Sequence, residues 1–145
     1  MTESSPDPAS ASGPAGEPAH DPEVLQLASQ AFDLARKGDT DKLAAYVDAG
    51  VPVDLTNDSG DSLVMLAAYH GHTPAVHALI QRGAEVDRAN DRGQTPLAGA
   101  VFKGERDVIS ALMDAGADPS AGSPSAIDTA RVFGRTDLLS LLGAE

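Results

Sequence analysis

The chain has 145 residues, enough for one domain of ordinary size, and carries 22 Asp and Glu against 10 Lys and Arg, a net charge of −12. It has no cysteine, which excludes disulfides and thiolate metal sites, and no run of 18 apolar residues, which excludes a membrane-spanning helix. No basic block offsets the acidity, so nucleic acid and anionic membrane surfaces are poor partners at long range.

Residues 1–23 hold Pro6, Pro8, Pro14, Pro18 and Pro22, with Glu3, Asp7, Glu17, Asp21 and Glu23 and no Lys or Arg. No hydrophobic face can be drawn on this stretch, and it is predicted to be a disordered, acidic, Pro/Ala/Ser-rich tail. It buries too little apolar area to offset the entropy of ordering it. It also lacks the basic start and apolar run of a secretory signal. With no cysteine in the chain, a reducing, cytoplasmic location is the expectation.

The repeat domain is predicted over 24–145. Val24, Leu27, Ala28, Ala31, Leu34 and Ala35 recur at helical spacing, and Gly38 ends that helix. A second helix follows, with Thr40 as its N-cap and Gly50 as its stop. Gln26, Ser29, Gln30 and Asp33 are suited to a solvated outer face, as in a capping unit.

Shifting the sequence by 33 residues brings Asn57-Asp58 onto Asn90-Asp91, Gly60 onto Gly93, Ala67 onto Ala100, Gly71 onto Gly104, Leu79 onto Leu112 and Gly83-Ala84 onto Gly116-Ala117. Residues 57–89 and 90–122 share nine identities in 33. The register runs back through Ala35, Gly38, Leu43 and Gly50. It runs on through Ala130, Gly134, Leu139 and Leu142 once three residues are dropped from the loop between Ser120 and Ser125. Such a period means one supersecondary unit repeated, here with unit boundaries near 24–56, 57–89, 90–122 and 123–145.

Each unit reads as two short helices. Ser62, Thr95 and Ser125 are N-caps of the first, and Pro96 sits at its first position, where a missing N–H costs nothing. Gly104 stops that helix so the chain can reverse. Thr73 and Thr136 are the expected N-caps of the second, and Gly83 and Gly116 end it in the left-handed conformation. The turns "NDSG" and "NDRG" then join the units.

Residues 90–118, "NDRGQTPLAGAVFKGERDVISALMDAGAD", resemble the ankyrin repeat: the turn glycine, Thr-Pro-Leu, Ala, Gly and Gly-Ala-Asp stand in order. The resemblance covers about 30–145. It implies an all-α solenoid of four helix-turn-helix units with short β-turn fingers, and a non-catalytic function in protein binding. Ala98 and Met65 stand where the family places the histidine of Thr-Pro-Leu-His, and Ser62-Leu63-Val64 replaces Thr-Pro-Leu. The hydrogen-bond link that this histidine makes is therefore expected to be missing.

The resemblance also implies where a partner would lie, on the concave ends of the first helices and on the fingers. Through the register these positions are Arg36, Lys37, Tyr69, His70, Phe102, Lys103, Val132 and Phe133, with Asp58, Ser59, Asp61, Asp91, Arg92 and Gln94 on the fingers. The stripe holds three of the five aromatics, Tyr69, Phe102 and Phe133, and three of the ten basic residues, Arg36, Lys37 and Lys103. Aromatics beside cations are the residue types of binding hot spots. The plainer alternative is that Tyr69 and Phe102 pack between neighbouring helices.

No cofactor or metal is expected. His20 lies in the tail, His70 and His72 are two apart across Gly71, and His72 and His77 are five apart, so none has the i,i+4 spacing of a helical metal pair. No dinucleotide, Walker or nucleophile-elbow motif appears. The competing readings are an enzyme or a small-ligand- or metal-binding protein with a groove site near His70, and a self-associating unit. The second would dimerise an otherwise monomeric chain through its last helix pair, "TDLLSLLGAE", if Leu138 and Leu141 are partly exposed; the plainer reading is that both pack on the third unit.

Overall fold

The computed structural model describes residues 22–144; the tail expected over 1–23 lies outside the described residues except for its last two positions, and so does the side chain of Val24. Among the described residues there are seven α-helices: α1 Pro22–Lys37, α2 Thr40–Asp48, α3 Leu63–Tyr69, α4 Thr73–Gln81, α5 Pro96–Lys103, α6 Arg106–Asp114 and α7 Ala126–Val132. A 3-10 turn, η1 Thr136–Leu138, follows. Among the described residues there are no strands, only isolated bridges between Thr56 and Ser62 and between Gly122 and Ser125 at the bases of the fingers.

Successive helices pair into hairpins, and the hairpins stack. α1, α3, α5 and α7 pack side by side as an inner row, while α2, α4 and α6 form an outer row. The inner row meets through small residues: Ala31, Ala35, Ala67, Ala68, Ala100 and Ala130 are completely buried. Alanine lets these helices approach closely and gives one continuous core in a chain that has almost no large aromatics. Leu43, Leu79, Ile109 and Leu112 fill the space between the rows. A lone hairpin would leave this face wet, so each unit depends on its neighbours.

The caps show why the helices start where they do. Ser62, Thr95 and Ser125 have extended backbones, and each side-chain oxygen accepts a hydrogen bond from the amide three residues on, at 3.1 Å in all three cases. Gly104 caps α5 at φ +73°, a conformation that disfavours any residue with a Cβ.

Several expectations need correction. Pro22 and Glu23, assigned to the tail, form the first turn of α1, where proline's fixed φ and an acidic side chain both suit a helix start. Asp39, not Thr40, caps α2: its carboxylate accepts from the Lys42 amide, while the Thr40 hydroxyl turns back to the Gly38 carbonyl. Thr73 is the first residue of α4 and His72 its N-cap, without a side-chain cap bond, because the His72 ring is engaged elsewhere. Arg135 takes the cap position assigned to Thr136, and the second helix of the last unit is a 3-10 turn. The last pair packs on the third unit, against the exposed alternative: Leu138 is 2% exposed and sits in the core with Leu139 and Leu142, and Leu141 is half-buried.

The units are cross-linked along both edges. On the finger side, Asp54 accepts from the Glu85 amide and Asp87 from the Asp118 amide, both at 2.8 Å. On the other side the first residue after each hairpin glycine reaches back to the preceding unit. His72 Nε2 lies 2.7 Å from the Arg36 carbonyl and Arg135 Nη2 donates to the Phe102 carbonyl at 3.3 Å. The His72 ring covers Gly38 so closely that a Cβ there would collide with it. Glu105 holds the same register between them, with its carboxylate against Gly71, but a carboxylate has no proton to donate. That rung of the ladder is missing. Arg82 bridges the outer row, donating to both Asp48 carboxylate oxygens at 3.0 and 3.2 Å, and this bond holds the Asp48 carboxyl below its ordinary range.

Candidate functional site

A cleft of about 370 Å³ runs between the inner helices and the fingers. Its floor is Met65 and Leu66 on α3 with Ala98 and Gly99 on α5, and Thr129 of α7 contributes the far side. Gly99 keeps the floor open. A Cβ there would come within 3.2 Å of the Met65 methyl and 3.4 Å of the Tyr69 ring, so a larger side chain would crowd both.

One wall is aromatic. Tyr69 ends α3, Phe102 is the last residue but one of α5, Phe133 caps the end of α7, and all three line the cleft. Phe102 and Phe133 meet edge to face at 5.0 Å between ring centres, yet remain 41% and 56% exposed. Stacking thus brings together two rings from different units without burying either. Tyr69 is half-buried, with the Lys103 ammonium 5.0 Å above its ring centre.

The other wall is the fingers, supplied by Asp61, Asn90, Arg92, Gln94 and Pro124. Asn90 organises it. Its Oδ1 accepts from the Arg92 and Gln94 amides at 2.9 and 3.0 Å, and its Nδ2 donates to Asp61 at 2.8 Å and Gln94 Oε1 at 3.1 Å. All four hydrogen-bonding positions of the amide are therefore used. Asn57 does the same for the previous finger, accepting from the Ser59 and Asp61 amides.

Of the residues read from the sequence, Asp61, Tyr69, Arg92, Gln94, Phe102 and Phe133 converge on the cleft. Asp61 and Gln94 are held in the Asn90 network rather than free at a tip. Asp58, Ser59 and Asp91 sit at exposed finger tips, with the Asp91 amide bonded to the Ser59 carbonyl. Arg36, His70 and Lys103 extend the aromatic wall; Lys37 and Val132 are exposed outside the cleft lining. Sequence reasoning missed Asn90, Met65, Gly99, Thr129 and Pro124. Only Asn90 carried a signal, its match to Asn57 one period earlier.

The His70 ring lies 6.3 Å from that of His72 and 5.4 Å from that of Tyr69. Its pKa is lowered by partial burial and then by the charges of His72, Lys103 and Arg36. A histidine with a folded pKa below its unfolded value contributes stability above the unfolded pKa and loses it as pH falls through the folded one. His70→Gln is accordingly expected to narrow the drop in Tm between pH 7.5 and pH 5.5, as read by circular dichroism. Identical drops in both proteins would remove His70 from the account. Among the described residues no three His, Asp or Glu side chains converge on one point.

Hairpins stacked on a shared core, with a cleft along the inner row, define a helical-repeat solenoid. Residues 31–122 match the family described as ankyrin repeats, in three copies, and the chain belongs to that family. A protein of Pseudomonas aeruginosa described as an ankyrin repeat protein is 47% identical over 55 residues, which is 38% of this chain and 32% of that relative's length. Ankyrin repeats are generally protein–protein interaction modules and generally non-enzymatic. No helix among the described residues is long and apolar enough to cross a membrane.

Proposed function

We propose that the chain is a non-catalytic, monomeric, cytoplasmic binding module that docks one protein partner in the cleft between inner helices and fingers. The observation that carries this reading is the aromatic wall: Phe102 and Phe133 stay exposed while in contact, beside an apolar floor and a pre-ordered polar rim. Rings held rigidly at the mouth of a cleft lose little entropy on binding, as hot-spot residues do. Asp61, Arg92 and Gln94 of the rim would select among partners more than add affinity.

Tyr69→Ala combined with Phe102→Ala is expected to weaken partner binding by more than about 2 kcal/mol while leaving the fold intact. The partner is isolated by affinity capture from the native lysate, and its affinity for both proteins is measured by calorimetry. Undiminished affinity would remove the cleft from the account. A collapsed unfolding midpoint would show instead that the rings hold the units together.

A further inference from the structure

The cleft's two rims differ in charge, and the difference specifies the kind of partner. Along the ends of the inner helices a continuous strip can be traced by contact. The Arg36 carbonyl meets His72, His72 stacks near His70, and His70 meets Tyr69. Lys103 lies over Tyr69, and Phe102 meets Phe133, with Arg135 bonded to the Phe102 carbonyl. The groups whose charges act on His70 are His72, just before α4, with Lys103 and Arg36, all of them basic side chains. Two carboxylates adjoin the strip. Asp33 is paired with Arg36 at 2.9 Å, and Glu105 lies against Gly71. Among the described residues Lys103 makes no ion pair, in a chain of net charge −12. The finger rim is the reverse: Asp61 lines the cleft with Arg92, and Asp58 and Asp91 sit at the exposed finger tips.

We infer that the occupant of the cleft is an acidic peptide segment bearing an aromatic or large aliphatic side chain. That side chain enters between Phe102, Phe133 and the Met65–Gly99 floor, and its flanking carboxylates lie along Lys103, Arg36 and Arg135. This rests on the cleft being the docking surface, as proposed above. The overall negative charge does not oppose it at contact: at physiological salt, charges beyond about 8 Å are screened, so local cations decide binding while the remaining acidity slows encounter. A basic peptide would meet like charge wherever its flanks lie along Lys103, Arg36 and Arg135, so the strip disfavours it on the side where the aromatic wall holds the anchor.

The test is selection of a phage-displayed random dodecapeptide library on the full chain, followed by fluorescence anisotropy of the enriched peptides as synthetic ligands. Net-negative sequences containing Phe, Trp or Leu are expected. Lys103→Glu should weaken them roughly tenfold or more, and Lys103→Arg should restore them. Thermal melts establish that both variants fold. Enrichment of neutral or basic peptides, no enrichment at all, or equal binding to Lys103→Glu would overturn the inference. Neutral peptides that lose binding in Phe102→Ala would leave the cleft reading standing and sink only the acidic one. Peptides indifferent to both Phe102→Ala and Lys103→Glu would sink the two together.

Discussion

Leu79→Ala is expected to lower the unfolding free energy by about 3 kcal/mol, within the range for burial-site leucines. Leu79 is completely buried in α4, and α4 packs against α2 on one side and α6 on the other. Truncation therefore opens a cavity bordered by three units at once. Alanine already occupies much of the inner row, so few large side chains are available to relax into the gap. Because each unit is held by its neighbours, the loss should appear as a shift of the whole transition, lowering Tm by roughly 10 °C. Urea unfolding followed by circular dichroism measures it. Leu25→Ala, at a side chain 52% exposed, is the control and should stay within about 0.5 kcal/mol. A loss below about 1 kcal/mol at Leu79 would mean that the site collapses freely and that the core is not close-packed.

The second large effect belongs to a polar residue. Asn90→Ala should cost about 2 kcal/mol, although the residue lies on a finger. At 9% exposure its amide joins two fingers through four hydrogen bonds, and removing it leaves the Arg92 and Gln94 amides and the Asp61 carboxylate without those partners. Asn90→Asp separates the two halves of the amide. It keeps an acceptor for the two backbone amides but turns the donor facing Asp61 into a like charge. It should therefore be as damaging as alanine at pH 7 and recover as the pair is protonated in acid. Thermal melts of both variants at pH 7 and pH 4.5 test this. Full stability of Asn90→Ala would show the finger to be ordered by its turn alone. Since Asp61, Arg92 and Gln94 form the polar wall of the cleft, loss of Asn90 should also loosen binding while the aromatic wall stays intact.

How much of this could be read from the residues follows from the range of each interaction. The 33-residue period, the Ser62, Thr95 and Ser125 caps and the stops at Gly83, Gly104 and Gly116 were all legible, because each depends on atoms within a turn or two of the residue concerned. The start of α1 and the Asp39 cap of α2 were local signals misread, whereas the cap of α4 was a tertiary matter. Thr73 looked like a cap because its neighbour's ring was not known to be committed to Arg36, 36 residues earlier. Leu138 was open between packing on the third unit and a free face, and the core that the last hairpin closes decides for packing.

By itself, then, the order of residues determined the hairpin, its repetition and the residues that end each inner helix. Local backbone preferences and helical periodicity suffice for those. Only the stack decided that Phe102 and Phe133 touch yet stay open, that Asn90 spends its whole amide on two fingers, that Gly99 keeps the floor clear, and that Glu105 breaks a ladder which His72 and Arg135 complete. Those contacts join residues about one repeat apart, and their geometry is set by how closely small side chains let one hairpin lie against the next.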